Sequence, residues 1–411
     1  MRDKLLGRAP KDFDIATSAR PDEVMKLFPG SNQVGAHFGV VIARIRRQHV
    51  EVATFRTDGS YKDGRRPESV TYSTPQEDAQ RRDFTVNGLF ERPASGEVID
   101  YVNGVADLHA GVLRAIGDPV ARLTEDALRL LRAVRFSAVL GLEIEPVTLA
   151  AIKDCAPLLG KISPERIRDE FSKILTTPGR RKGVELLVMT GLMSEIVPEF
   201  LATVGCEQPP EWHPEGDVFT HTCIMLEMLP ADAPLALCLA VLLHDIAKPP
   251  CQTFGDRIRF NGHDAMGAEM AETILRRLRF SNEIIATVVP MVARHMQFMN
   301  VQQMRTAKLK RFMAEPTFTL EMELHRVDCG SSNGFTDNYE FLEIKAAEFA
   351  AEPLIPPPLV TGRDLIRLGL KPGPRFKEIL EAAETEQLEG RILDRPLALD
   401  YIRALATETL A

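Results

Sequence analysis

A change in the spacing of apolar residues near Arg122 most constrains the fold of this chain. Before it, residues 39–44 and 50–55 form short apolar runs that are typical of β-strands. After it, apolar residues recur at helical spacing, as in the sequence LTEDALRLLRAVRF. The sequence therefore predicts a region of mixed strands and helices, followed by a long helical region.

Bulk composition narrows the class of protein. A chain of 411 residues is longer than a single hydrophobic core usually accommodates, so two to four domains are expected. The longest apolar run, residues 235–243, is too short to cross a bilayer, and we expect no membrane partner. Six cysteines are scattered without a C-x-x-C pair, which favours a reducing cytoplasm. The net charge of −8 argues against a general polyanion binder, so any nucleic-acid contact must use local basic surface.

The stretch KDFDIAT, residues 11–17, reads as a short strand. Successive side chains of a strand point to opposite faces. This strand would therefore place Asp12 and Asp14 on the open face and Phe13 and Ile15 in the core. Two carboxylates one pleat apart can share Mg²⁺ ions, which prefer oxygen ligands and bridge to phosphates. A surface turn with two solvated acids is the alternative, because Asp-x-Asp alone is a weak motif.

Glu51 is a candidate third carboxylate. It lies between Val50 and Val52 and therefore faces opposite to them, where an acid is costly to bury unless it is paired or bound to a metal. A solvated acid on an edge strand is an equally good interpretation of the pattern.

Two further segments carry groups suited to a nucleotide. In RRDFTVNGL, residues 81–89, the arginine pair offers planar forks for phosphates, and Asn87 could bind a ribose hydroxyl. Asp126 and Arg129 are i,i+3 neighbours on one predicted helix face. Together they present an acceptor and a donor fork, as a base edge requires, although an ordinary surface ion pair has the same spacing.

Six motifs together resemble the tRNA nucleotidyltransferase and poly(A) polymerase family, in its bacterial CCA-adding branch. They are RDKLLGRAPKDFDIAT, FRTDGSYKDGRRPESV, RRDFTVNGLF, DYVNGVADL, RLTEDALRLLRAVRF and SPERIRDEFSKIL. The resemblance implies an α+β nucleotidyltransferase head with a mixed sheet, followed by an all-α neck, body and tail. We place these parts at residues 1–115, 116–175, 176–350 and 351–411.

The resemblance also implies roles for individual residues. Asp12 and Asp14, with Glu51 as the third carboxylate, would form the catalytic site with Mg²⁺. Asp126 and Arg129 would pair with the base of CTP and then of ATP. The remaining residues expected to bind the nucleotide are Arg2, Asp3, Arg82, Asp83, Asn87, Arg132 and Arg135.

Three motif details add expectations. The family carries a glycine turn before the Val-Arg-Asp that corresponds to Met1-Arg2-Asp3, and that turn cradles a triphosphate. Because this turn and the first sheet strand are missing here, we expect the natural chain to be longer. The loop at residues 58–67 matches one associated with the switch to ATP. Glu165 and Arg166 match a supporting neck motif.

The second half contains a histidine-rich pattern. His221, His244-Asp245, His263, His295 and Asp328 follow the order of the HD superfamily of metal-dependent phosphohydrolases, and the resemblance implies a body with an HD site. Imidazole and carboxylate ligands suit Mn, Ni, Fe or Zn. For any single histidine, a hydrogen-bonded helix residue is the better interpretation. His213 and Glu215 could orient a ligand or cap a helix.

The tail follows a stiff proline-rich linker at residues 352–358. Thr361 is a possible helix cap, and KPGP at residues 371–374 is a helix-breaking turn. Lys371, Arg375 and Lys377 are candidates for contact with the tRNA backbone, and residues 180–182 form a second possible basic spot. A solvated helix face is at least as good an interpretation for each of them.

Three functions remain open. The first is template-independent addition of CCA to tRNA from CTP and ATP, with release of pyrophosphate. The second is an HD phosphohydrolase acting on RNA ends, with an impaired transferase head. The third is a poly(A) polymerase. In each case we expect a cytoplasmic monomer or homodimer.

Overall fold

The computed structural model describes the chain except for residues 11–12, 32–38, 46–47, 60–68, 333 and 408–411. The strands are β1 (Ile15–Thr17), β2 (Val40–Ile45), β3 (Gln48–Thr54), β4 (Arg56–Asp58), β5 (Val70–Tyr72), β6 (Leu89–Arg92), β7 (Glu97–Asp100), β8 (Val112–Leu113) and β9 (Glu143–Ile144).

The helices before residue 230 are α1 (Arg2–Leu5), α2 (Pro21–Leu27), α3 (Pro75–Gln80), α4 (Gly104–Ala110), α5 (Pro119–Glu125), α6 (Leu128–Leu140), α7 (Pro146–Cys155), α8 (Pro164–Leu175), α9 (Arg180–Met189), α10 (Met193–Ile196) and α11 (Val218–Met228). The later helices are α12 (Leu235–Leu243), α13 (Lys248–Cys251), α14 (His263–Arg277), α15 (Asn282–Arg294), α16 (Thr306–Met313), α17 (Phe318–Ser331), α18 (Asp337–Phe349), α19 (Gly362–Arg367), α20 (Pro374–Leu388) and α21 (Arg395–Thr407).

The chain forms two compact units. The first contains residues 1–206, 217–242 and 272–285, and the second contains residues 207–216, 243–271 and 286–411. Within the part of the chain that the structure describes, no helix is long and apolar enough to cross a membrane. The α+β start and the helical remainder agree with the predicted fold class, whereas the boundaries at residues 115, 175 and 350 stay a prediction.

The first unit begins with a mixed three-stranded sheet of order β1-β3-β2, in which β1 runs parallel and β2 antiparallel to β3. One face of this sheet packs under α2 through Val24, Val41, Ala43 and Val52. The mixed sheet confirms the prediction for the head. The core on one face leaves the other face available for polar groups.

The predicted strand at residues 11–17 is only partly correct. β1 begins at Ile15, and Phe13 is 74% exposed while Ile15 is 44% exposed, so neither side chain lies in the core as expected. Phe13 precedes the strand, where the alternation of faces no longer applies. Ile15 lies on a strand of three residues at the side of the described sheet, where little surrounds it.

The helical stripe after Arg122 is also interrupted. Asp126 has extended backbone angles, φ −141° and ψ 103°, and separates α5 from α6. Asp126 and Arg129 are therefore not i,i+3 neighbours within one helix, which corrects the expectation. The Asp126 carboxylate accepts a hydrogen bond at 3.1 Å from the backbone N–H of Leu128, the first residue of α6.

The second unit is entirely helical apart from one short bridge among its described residues. Its later part holds two apolar clusters. The first surrounds Phe298 and Phe312, and the second joins α19, α20 and α21 through Leu365, Ile379 and Ile402. The backbone N–H of Thr361 donates to Asp364 at 2.9 Å, and α20 begins at Pro374, as the sequence predicts.

Candidate active site and metal centre

Asp14 and Glu51 meet on the open face of the sheet. The parallel register pairs Ile15 with Val52, so the preceding positions, Asp14 and Glu51, are also neighbours. Partial burial raises the pKa of Glu51, the Asp14 carboxylate raises it further, and Arg56 opposes both. Two carboxylates that repel each other in this way suit a shared hard cation.

The other expectations for Glu51, Asp12 and the loop at residues 58–67 have different outcomes. Glu51 lies on β3, which is central in the described sheet, so the interpretation as an edge-strand acid is wrong. Asp12 lies outside the described residues, as does most of the loop at residues 58–67. The catalytic roles of Asp12, Asp14 and Glu51 stay predictions.

Arg82 is held by groups on both of its sides. Its Nη2 donates to Asp78 at 3.1 Å, its Nη1 donates to the carbonyl of Asn87 at 2.9 Å, and its guanidinium lies 4.7 Å from the centre of the Phe90 ring. Asp78 also accepts a hydrogen bond from Arg81 at 2.8 Å. This buried acid orders both arginines, and sequence reasoning missed it although it lies three and four residues before them.

Asp83 contacts the neck. Its Oδ1 accepts hydrogen bonds from the Phe84 N–H at 2.8 Å and from Asn87 Nδ2 at 2.9 Å. Its Oδ2 accepts from Arg132 Nε at 2.7 Å, and Arg132 Nη2 lies 2.6 Å away. Burial alone would raise the pKa of Asp83, but Arg132 and the hydrogen bonds outweigh burial and hold that pKa below its usual value.

Three arginines surround the ring of Phe136. The guanidinium carbons of Arg2, Arg132 and Arg135 lie 4.9, 5.1 and 4.4 Å from the ring centre. Arg2 donates to the side chain of Asn87 at 2.6 Å and to Asp3 at 3.0 Å. The structure thus brings six of the predicted nucleotide-binding residues into one hydrogen-bonded network, namely Arg2, Asp3, Arg82, Asp83, Asn87 and Arg132.

Arg135 lies beside this network. Its Nε is 2.7 Å from Glu170, an acid on α8 that is 4% exposed. Burial lowers the pKa of Arg135, and Glu170 offsets only part of that effect. Because the group keeps an acidic partner, it remains a cation at neutral pH.

Arg129 and Asp126 have separate partners. Arg129 Nη1 donates to Glu125 at 2.5 Å and to the carbonyl of Arg122 at 2.8 Å, and its Nη2 donates to the carbonyl of Arg81 at 3.3 Å. Asp126 accepts from Arg166 at 3.3 Å, which places that neck residue beside a predicted base-reading group. Sequence reasoning missed Glu125, although its i,i+4 spacing to Arg129 is a usable signal.

A second group of ligand-type side chains lies buried in the second unit. His263 Nε2 and His295 Nε2 are 3.1 Å apart, and Asp245 Oδ1 lies 3.5 Å from the first and 3.8 Å from the second. All three residues are buried. Such spacing lets one cation touch all three groups.

The protons on the two imidazoles are fixed by backbone carbonyls. His263 Nδ1 lies 2.7 Å from the carbonyl oxygen of Phe260, and His295 Nδ1 lies 2.7 Å from that of Val292. A carbonyl oxygen only accepts, so each neutral ring carries its proton on Nδ1. The two Nε2 lone pairs then face each other, which is repulsive unless a cation lies between them. Burial and the neighbouring His244 lower the pKa of His295 to about 4, which favours its neutral form.

Asp245 also lies beside the side-chain nitrogen atoms of Lys248 and His244. Its Oδ2 lies 2.7 Å from Lys248 Nζ and 3.0 Å from His244 Nε2. Burial would raise the pKa of Asp245, but His244 and Lys248 hold it well below the usual value. Lys248 in turn donates to Gln208 at 2.6 Å. Lys248 and Gln208 are partners that the histidine pattern did not reveal.

The other residues of the predicted HD site are His221, His244 and Asp328. Asp328 offers a carboxylate oxygen within 4.8 Å of a ring nitrogen of His244. His221 is buried on α11 in the first unit. His213 Nδ1 lies 2.9 Å from Glu215, so these two pair with each other, and their supporting role stays a prediction.

The basic groups of the tail are exposed. Arg375 pairs with Glu378 at 2.7 Å, Lys377 lies 3.7 Å from Glu381, and Lys371 lies in the turn before α20. Exposed pairs of this kind are weak, so a phosphate can compete for the cations. Contact of these residues with tRNA stays a prediction.

The second basic spot, residues 180–182, is buried at its first residue and partly exposed at the other two. Arg180 is 1% exposed and donates to backbone carbonyls that include those of Leu229 and Pro230. Arg181 pairs with Glu185 and Glu227, and Lys182 pairs with Glu143. The expectation is therefore wrong for Arg180, whose charge is used inside the protein, and stays a prediction for Arg181 and Lys182, which are partly exposed.

Comparisons with family models match three segments of the chain. Residues 1–114 match the poly A polymerase head domain, residues 141–203 match the RNA and SrmB-binding site of polymerase A, and residues 263–401 match tRNA nucleotidyltransferase domain 2. The first match covers the region that carries Asp14, Glu51 and the network around Asp83.

Curated relatives are CCA-adding enzymes. That of Streptococcus gordonii is 44% identical over 200 residues, which cover 48% of this chain and 50% of the relative. That of Latilactobacillus sakei is 41% identical over 239 residues, 57% of this chain and 60% of the relative. The chain therefore spans about half the length of the curated relatives it matches.

Solved structures resemble the whole chain. The Bacillus stearothermophilus CCA-adding enzyme in complex with CTP is 25% identical, with a TM-score of 0.75 over 100% of this chain and 93% of that one. The Thermotoga maritima CCA-adding enzyme complexed with tRNA is 18% identical, with a TM-score of 0.60 over 98% and 89%, and supports the fold alone. By its head, its neck and its second half, the chain belongs to the tRNA nucleotidyltransferase and poly(A) polymerase family.

Proposed function

We propose that this protein adds C, C and A to the 3′ end of tRNA, using CTP and ATP without a nucleic-acid template. The ribose 3′ hydroxyl attacks the α-phosphate, forms the new O–P bond and loses its proton, while pyrophosphate leaves. The observation that carries the proposal is the register that places Asp14 beside Glu51 on the open face of a mixed sheet.

The carboxylates fit a hard divalent cation. Asp14 and Glu51, with Asp12 as the expected third acid, would hold Mg²⁺ through oxygen atoms. When bound, Mg²⁺ supplies activation of the hydroxyl and neutralisation of the leaving pyrophosphate. The protein's own side chains would position the nucleotide, which is where most of the catalytic effect of such enzymes arises.

We assign nucleotide binding to Arg82, Asn87, Asp126 and Arg129. Arg82, oriented by Asp78 and Phe90, would grip the phosphates, and Asn87 would bind the ribose. Asp126 and Arg129 would read the base. The relative whose structure contains CTP supports this assignment over its shared fold.

The direct test is nucleotide incorporation. The protein is incubated with tRNA lacking its 3′ CCA, Mg²⁺ and labelled CTP or ATP, and products are resolved on a sequencing gel. Addition of C, C and A supports the proposal. Long A tails on RNA other than tRNA would indicate the poly(A) polymerase alternative. Because its substrates are tRNA and nucleotides, we place this reaction in the cytoplasm.

Arg129 offers a test of the base-reading role. Changing Arg129 to Lys should alter the choice between CTP and ATP more than it alters tRNA affinity, because a lysine lacks the planar fork. An equal loss with both nucleotides would count against this role. Changing Lys371 and Lys377 to Ala should instead weaken tRNA binding and reduce its salt dependence.

We infer a second activity, hydrolysis of a phosphate ester, at the buried centre of the second unit. The facing Nε2 atoms of His263 and His295, with Asp245 beside them, favour a resident metal, and the ligand types suit Mn, Ni, Fe or Zn. When bound, such a metal supplies a water of lowered pKa. Release of phosphate from an RNA end, measured with added Mn²⁺ or Ni²⁺, tests this activity. Titration with Mn²⁺, followed by calorimetry, tests metal binding at this site independently of the hydrolytic activity.

A further inference from the structure

We propose that Arg122 and Arg132 are positioning residues for nucleotide transfer, and that Asp83 acts through Arg132 rather than on the nucleotide. Together with Arg129, they form a neck clamp (Arg122, Arg129 and Arg132) on residues 80–83 of the head. The clamp would keep the phosphate-binding and base-reading residues in one alignment. This inference rests on the proposed transferase function.

Arg122 donates hydrogen bonds to backbone carbonyls at the C-terminal end of α3. Its Nη2 donates to the carbonyl of Gln80 at 2.8 Å, its Nη1 donates to that of Arg81 at 3.1 Å, and its Nε donates to that of Ile116 at 3.2 Å. A cation at a helix C-terminus satisfies carbonyls that lack a partner within the helix and interacts favourably with the helix dipole. The contact fixes where residues 81–83 leave α3.

Arg132 grips the other end of the same segment. Its Nε and Nη2 both lie within 2.7 Å of Asp83 Oδ2. Asp83 Oδ1 accepts hydrogen bonds from the Phe84 N–H and from Asn87 Nδ2. Asp83 is 6% exposed. With both oxygens committed to protein donors, its carboxylate is oriented toward the neck, and its effect on a nucleotide passes through Asn87 and Arg132.

Arg129 completes the connection. It lies between the two other arginines in sequence, and its Nη2 donates to the carbonyl of Arg81 at 3.3 Å. The predicted base-reading residue therefore touches the segment that carries Arg82. A shift of this segment would displace both groups together, and a misplacement of about 1 Å can cost on the order of 100-fold in rate.

The test compares single variants in the incorporation assay. For Arg132→Met and, separately, Arg122→Met, we expect kcat with CTP and with ATP to fall about 10- to 100-fold and incorporation of UTP to rise. The dissociation constant for tRNA should stay unchanged. Arg132→Lys, which keeps the charge, should recover part of the rate.

Arg114→Met is the matched control. Arg114 also joins the head to the neck, because its Nε lies 3.1 Å from Asp107 and its Nη1 lies 2.5 Å from Glu145. Among the described residues, its side chain forms no hydrogen bond or ion pair with residues 80–83. We expect this variant to keep its kcat and its choice of base, even where its melting temperature falls.

A double-mutant cycle separates a shared role from two independent ones. Asp83→Asn and Arg132→Met should each cause a similar loss of kcat, and the double variant should lose no more than either one. Additive losses, or unchanged kcat and base choice in Arg132→Met, would overturn the inference while the wild type still incorporates CTP. A wild type that incorporates no nucleotide would instead overturn the proposed function, and the inference with it.

Discussion

The two candidate metal sites of this protein differ in how far they are open to solvent. In the first unit, Asp14 is exposed and Glu51 is exposed on the free face of a small sheet. In the second unit, Asp245, His263 and His295 are all buried. The first group consists of carboxylates, whereas the second is mostly imidazole.

This difference indicates two modes of metal use. An open carboxylate pair can receive Mg²⁺ together with a nucleotide and release it with pyrophosphate, because Mg²⁺ keeps part of its water shell. A buried group whose imidazole protons are fixed by Phe260 and Val292 would suit an ion that stays bound. We therefore expect metal binding at the first site to depend on its carboxylates. Metal binding at the second site should depend also on the packing around it.

The largest expected effect is at the open site. Asp14→Ala should lower CTP incorporation by at least about a thousandfold, because the metals supply several kcal/mol of transition-state stabilisation. Initial rates with saturating Mg²⁺ check this, and the Mn²⁺ affinity of the second unit should not change. Wild-type rates in this variant would remove Asp14 from the reaction.

The next effect is at the buried site. Asp245→Asn should weaken Mn²⁺ binding, measured by calorimetry, by at least about 100-fold, because loss of a ligand exceeds the cost of losing a group that orients one. Asp256→Asn is the control, since that exposed acid forms its ion pair with Arg259 and does not belong to the buried group. If Asp245→Asn abolished incorporation of CTP instead, the two sites would not be separate.

Packing around the buried site gives a smaller effect. A Cβ on Gly267 would lie 3.3 Å from Val292 Cγ1 and 3.5 Å from the carbonyl of His244. Gly267→Val should therefore destabilise the protein by about 1–3 kcal/mol and weaken Mn²⁺ binding. Gly160→Val, where the added Cβ meets only the carboxylate end of Glu195, is the matched control and should keep Mn²⁺ affinity. Equal Mn²⁺ affinity in both variants would show that packing does not hold the site.

The smallest effect is expected beside the open site. Phe13→Ala should change the free energy of unfolding by less than about 0.5 kcal/mol, because the side chain is 74% exposed. Val52→Ala, in the sheet core, should cost about 2 kcal/mol in the same denaturant titration. If both substitutions cost the same, Phe13 is buried and the longer strand predicted from the sequence is correct.

Local signals in the sequence predicted the elements well. The runs at residues 39–44 and 50–55 correspond to β2 and β3, and the turn before Pro374 starts α20, because alternation and proline act over a few residues. The break at Asp126 was missed because apolar spacing continues across it. Its capping preference was the available signal.

Partners that are distant in sequence could not be predicted. Asp83 and Arg132 are separated by 49 positions, so no spacing rule connects them. The histidine order did indicate that His263, His295 and Asp245 belong to one group, whose metal-binding role stays a prediction. It gave no information on the carbonyls that fix their protons, since any residue supplies a carbonyl.

The central claim is that the open site transfers nucleotides independently of the buried one. It is tested by incubating wild type, Asp14→Ala and Asp245→Asn with tRNA lacking its 3′ CCA, Mg²⁺, CTP and ATP. Our account predicts C, C and A added by the wild type and by Asp245→Asn, and nothing added by Asp14→Ala. Addition of nucleotides by Asp14→Ala, or no addition by a folded Asp245→Asn variant, would contradict it.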